Sequence, residues 1–182
     1  MKPLLFTLLL LASLPASAQE TRRDVLHHSA NPADDSRSNS AAVPDVIPLE
    51  AHLQRIVMLR FKNGADLLAG LKQMIEQQKI RNAVILSGFG SVRNYQVHQV
   101  GNRDLPPKDV FVRNPIAPAD IIGMSGIVMN GRVHPHITLA NADKAFGGHL
   151  EAGTTVFTFA VITLGVLDDN LDLSRLDDWN YR

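Results

Sequence analysis

Two runs rich in aliphatic residues, 120–129 and 132–140, are separated by Asn130-Gly131 alone. Asn-Gly adopts the left-handed conformations of a two-residue hairpin turn, whose twist matches that of the strands on either side. The two runs are therefore expected to pair antiparallel. Other strands are expected at 54–61, dense in Ile, Val, Met, Leu and Phe, at 83–86, at 92–100 and at 154–165. One helix is expected over 66–79, because Leu67, Leu68, Leu71, Met74 and Ile75 recur at the spacing of one helical face. Asp66 places a carboxylate at its N-terminal turn, favourable with the helix dipole. Ser87-Gly88-Phe89-Gly90-Ser91 reads as a bend. Residues 101–118, with four prolines, read as a loop in which Val110-Phe111-Val112 pairs briefly, and 141–153 reads as a second loop. One helix with five or more strands, mostly joined by hairpins, defines an α+β fold with an antiparallel sheet and one packed main helix.

The two ends stand apart from this body. Lys2, the leucine-rich run of residues 4–11 and Ala16-Ser17-Ala18 follow the order of a cleavable export signal over 1–18. Its apolar run is too short to span a bilayer, which takes about 20 residues. The mature chain is thus expected to be secreted or periplasmic, with no transmembrane segment. Residues 19–46 hold no aromatic side chain and show no apolar period, so ordering them would cost entropy without burying a core; a disordered linker is expected. His27-His28 lies in it and reads as solvated. Residues 167–182 form an acidic tail, in which Leu171, Leu173, Leu176 and Trp179 suggest docking onto the body.

Charge and cysteine content narrow the chemistry. The 182-residue chain has 18 basic and 18 acidic residues, and the body at 47–166 has 12 basic against 8 acidic. A mildly basic body between acidic ends lacks the concentrated positive charge of a nucleic-acid binder. With no cysteine, disulfides, thiolate metal sites and thiol nucleophiles are excluded, and a metal would need His, Asp or Glu. No Gly-x-Ser-x-Gly elbow and no phosphate-binding glycine loop is present.

His134 and His136 are two apart on an expected strand and share a face, while Val133, Pro135, Ile137 and Leu139 take the other. Such a pair is either an ordinary polar sheet face or two ligands for a divalent metal. His149 follows Gly147-Gly148, which would let the backbone turn its side chain toward the pair. Three imidazoles suit zinc, with a fourth position for water or an external ligand. Pro135 suits an edge strand. His52 and His98 lack such company and read as surface or rim residues. The acids flanking the three histidines in sequence, Asp143 and Glu151, have no evident placement.

Five segments in order carry a resemblance: Gly64-Ala65-Asp66-Leu67, Ser87-Gly88-Phe89-Gly90-Ser91-Val92, Asp120-Ile121-Ile122-Gly123-Met124-Ser125-Gly126, His134-Pro135-His136-Ile137-Thr138-Leu139-Ala140 and Gly147-Gly148-His149-Leu150. Together, over about 56–166, they resemble the PPC domain, the plants and prokaryotes conserved domain. The resemblance implies an antiparallel sheet of about five strands with a packed helix, assembly as a homotrimer, and a metal site, zinc above all, at His134, His136 and His149. Plant members join the domain to AT-hooks that bind DNA; no Arg-Gly-Arg-Pro hook occurs here, and export would separate this chain from chromosomal DNA. The expected function is an exported trimeric module that binds a divalent metal, with a small-molecule ligand at the metal. The alternatives are a zinc-dependent hydrolase or lyase and a DNA- or protein-partner-binding module.

Overall fold

The computed structural model describes residues 19–24, 31–37 and 40–178. The export signal at 1–18, His27-His28 and Trp179 lie outside the described residues. In chain order the elements are β1 (Glu20–Asp24), β2 (Leu53–Lys62), α1 (Leu67–Gln77), β3 (Ala83–Val100), β4 (Asp109–Asn114), β5 (Ala119–Met129), β6 (Arg132–Ala140), β7 (Ala145–Leu150) and β8 (Thr155–Leu167), with short 3-10 turns at Pro32–Ser36 and Ser174–Asp177. All strands pair antiparallel in one sheet, and the α+β expectation with one main helix holds. No helix among the described residues is long and apolar enough to cross a membrane.

The helix forms as its pattern requires. Asp66 Oδ1 accepts from the Ala69 amide at 2.8 Å, a side-chain cap contributing about 1 kcal/mol. Its Oδ2 accepts from the Gly153 amide at 2.6 Å, which ties the helix start to the turn before β8. Leu67, Leu68, Leu71 and Ile75 are buried against the sheet core of Ile85, Val92, Leu139, Ile162 and Leu164. At the β5–β6 hairpin, Asn130 and Gly131 both have positive φ, 49° and 78°, as a two-residue turn of this hand demands.

β3 departs from the sequence reading. The expected bend at Ser87–Ser91 is the middle of one 18-residue strand. The glycines serve close packing there: a Cβ on Gly90, at φ +137°, would lie 2.2 Å from the Phe159 carbonyl oxygen of β8. Register shifts between Ile85 and Ser87 and between Gly90 and Asn94 coil the strand. Its first half lies between β8 and β5, and its second half between β4 and β7. Because β5 continues to β6 and β6 to β7, the path β3–β5–β6–β7 closes back on β3.

The expected loop at 141–153 contains β7. Gly147 and Gly148 do not turn the chain; they let it pass between two neighbours. Added Cβ atoms would lie 2.0 Å from the Ile137 oxygen of β6 and 2.3 Å from the His98 oxygen of β3. Residues 19–46 are not uniformly without structure either, since Glu20–Asp24 adds to the open edge of β4 over five residue pairs. That pairing needs backbone groups, not apolar side chains, so hydrophobic pattern does not signal it. The acidic tail docks: buried Asn82 donates to the carbonyls of Asp168 and Leu171 at 3.0 and 2.9 Å, and Leu173 is buried beside Met129 and Leu167.

Candidate metal centre

Cross-strand register builds the site. His136 of β6 is paired with His149 of β7, and His149 with His98 of β3. His134 lies two residues along β6 on the same face. Across the closed sheet the row continues from His98 to Phe111 of β4 and on to Arg22 of β1.

The rings of His134, His136 and His149 converge as the sequence suggested. Nε2 of His134 and Nε2 of His136 face one another at 3.1 Å. One nitrogen from each of the three rings lies within 4.8 Å of the others, so the group could hold a metal ion. Two ligands about 2.0–2.1 Å from a tetrahedral ion stand about 3.4 Å apart, close to the separation of the His134–His136 pair. Asp177 Oδ2 lies 3.2 Å from Nδ1 of His134. That contact assigns the ring proton to Nδ1 and leaves the Nε2 lone pair pointing at the other two histidines, the usual carboxylate–histidine arrangement of a metal ligand.

Electrostatics favour the ligating form. Partial burial, then charge on His134 and His98, lowers the pKa of His136 below its ordinary value. Burial lowers His149 to about 4; His98, His134 and His136 add to the effect, and Asp177 opposes it. Neutral imidazole is the form that donates a lone pair to a metal.

Several placements differ from the sequence reading. His98 is no isolated rim residue: it stacks on His149 with ring centroids 4.5 Å apart, and its Nδ1 lies 2.6 Å from Glu151 Oε1. Asp109 Oδ2 stands 3.7 Å from its other nitrogen. Glu151 thus holds His98, while Asp143 lies in the turn between β6 and β7, at the other end of that pairing from His136 and His149. Pro135 is not on an edge strand, since β6 runs between β5 and β7; it lies one residue beyond the last β6–β7 pair, where it interrupts no pairing with β7. Facing it, Gly126 (φ +140°) lets β5 approach, for a Cβ there would meet the His134 oxygen at 2.2 Å. Asp177 comes from the acidic tail at 167–182. Its signal was the pattern of tail leucines, which showed docking but not its destination. His52 remains exposed and apart.

His134 and His149 also border a cleft of about 980 Å³ between α1 and the β5–β6 hairpin.

Fold and site together define a sheet domain with a histidine cluster at its closure. Residues 49–168 match the Plants and Prokaryotes Conserved (PCC) domain, and the chain belongs to that family. Among solved structures it is similar to a metal-containing protein from Archaeoglobus fulgidus, at 25% identity and a TM-score of 0.57, covering 66% of this chain and 86% of that one. A plant- and prokaryote-conserved protein from Pyrococcus horikoshii is 23% identical with a TM-score of 0.54, covering 66% and 85%. A hypothetical protein from Salmonella enterica is 21% identical with a TM-score of 0.54, covering 64% and 83%. No curated protein matches the chain.

Proposed function

We propose that this protein is an exported, homotrimeric module that binds zinc through His134, His136 and His149 and leaves a coordination position to a small external ligand. The observation that carries the metal reading is the convergence of three imidazoles from paired strands, with Asp177 orienting one of them. An all-imidazole donor set without thiolates suits zinc. The metal-containing Archaeoglobus protein is in keeping with it. Export is supported by Lys2, the leucine run and Ala16-Ser17-Ala18. Trimer formation is supported by exposed apolar side chains on adjoining strands β2, β8 and β3, among them Ile56, Met58, Phe159 and Phe89; such a face on a monomer marks an interaction surface. The binding reading is favoured over a hydrolase or lyase because the acids nearest the cluster are engaged, Glu151 with His98 and Asp177 with His134.

The test is metal analysis of the mature chain after zinc exposure and dialysis at neutral pH. One zinc per chain is expected, lost in His136→Ala and kept in His52→Ala. A parent protein without metal would refute the reading.

A further inference from the structure

We infer that the cleft beside the histidines receives a small oxyanion-bearing molecule, a carboxylate or phosphate compound, with its charged group at the histidine end. The identity of the inner wall as a metal site rests on the function proposed above; the charge argument does not.

The charges in the cleft are lopsided. Lys72 reaches it from α1, Lys79 and Arg81 from the segment between α1 and β3, and Arg132 from the start of β6, against Glu76 and Asp177. Asp177 is already committed to His134. Lys72, Lys79 and Arg132 form no ion pair among the described residues, although the chain as a whole is neutral. Arg81 is anchored by its Nε, which donates to Asn130 Oδ1 at 3.0 Å, and its guanidinium acts at longer range on the exposed Asp172, with no ion pair formed among the described residues. Four cations gathered around one concavity repel one another, and an anion between them relieves that repulsion.

Shape sets the ligand class. Ile75, Ile80 and Met129, all nearly fully buried, and Val133 give the cleft an apolar floor. About 980 Å³ falls at the upper end of the range for small-molecule pockets. Guanidinium groups pair with carboxylate or phosphate in a planar fork, and ammonium groups serve as point charges. A short carbon skeleton over the floor, with one or two oxyanions toward the cations, matches the lining. His134 and His149 border the same cleft, so an anion seated there reaches the open side of the histidine cluster.

The test is calorimetric titration of the zinc-loaded mature chain with inorganic phosphate and, separately, malonate; glycerol is the neutral control. At least one anion should bind while glycerol does not, and the stronger of the two names the oxyanion. Affinity should fall at least tenfold in the Lys72→Gln/Lys79→Gln double variant and in Arg132→Gln. It should stay unchanged in Arg103→Gln, on an exposed loop away from the cleft. Zinc content, measured in every variant, should equal that of the parent. If zinc is held and neither anion binds, or if the charge variants bind as tightly as the parent, the inference is overturned and the metal reading stands. If zinc is not held but the anion still binds through these cations, the metal reading falls and the inference stands.

Discussion

Asp177→Asn tests whether the tail carboxylate orients a ligand or only docks the tail. Asp177 Oδ2 stands 3.2 Å from Nδ1 of His134, and Nε2 of the same ring faces His136. A carboxylate accepts the Nδ1 proton and raises the basicity of Nε2; a neutral amide does so weakly or favours the opposite tautomer. Loss of such an outer partner weakens metal binding about 10- to 100-fold. Both side chains are about two-fifths exposed, 38% for His134 and 40% for Asp177, so water screens the contact and the lower end applies. We expect about a tenfold rise in Kd for zinc, roughly 1.4 kcal/mol. With free zinc at 100 times the parent Kd, binding adds about 2.7 kcal/mol to stability. The same zinc adds about 1.4 kcal/mol to the variant, and the difference lowers Tm by about 4–6 °C for a body of this size. Chelator competition at pH 7.5 gives Kd, and thermal unfolding with and without zinc gives the linked shift. Asp169→Asn, on the same tail, should match the parent. Unchanged zinc affinity, or an equal loss of Tm with and without zinc, would make Asp177 a docking residue and refute the argument.

In metal-free protein, stability should fall as the pH drops from about 6.5 to about 4. His149 ordinarily titrates at 6.5 but is held at about 4, mainly by burial, so the unfolded chain takes up its proton first. Between those values the unfolded state binds more protons, and stability rises with pH. Full burial would make the difference about 3 kcal/mol; half burial and solvent screening reduce it to about 1–2 kcal/mol. Urea unfolding at several pH values should show this slope in the parent and a shallower one in His149→Gln; parallel slopes would contradict it. Light scattering should give a trimer for the mature protein and a smaller species for Phe89→Asp, whose parent side chain is 51% exposed. A parent that is monomeric at micromolar concentration would sink the interface assignment.

The elements legible in the sequence are those whose determinants are neighbours along the chain. Asn130-Gly131 imposes its own left-handed turn. The five apolar positions from Leu67 to Ile75 select one helical face, and Asp66 caps it. The strict alternation of a strand puts His134 and His136 on one side whatever lies beside it. The remaining features depend on which backbone passes nearby. Gly88 and Gly90 have the composition of a bend, yet they lie inside a strand, where Met124 of β5 packs over Gly88 and the β8 backbone passes close to Gly90. Gly147 and Gly148 have the composition of a loop, yet β7 fits between β6 and β3 because they lack Cβ atoms.

Sequence by itself thus determined the hairpin, the helix and a shared face for two histidines, because local dihedral preferences and side-chain alternation reside in adjacent residues. Closure of the sheet decided the rest. Only when the second half of β3 meets β7 does His98 come beside His149 and Glu151, and only docking of the tail carries Asp177 to His134, across 43 residues of chain. Such register between distant segments is set by packing and backbone pairing, and no pattern within either segment specifies its partner.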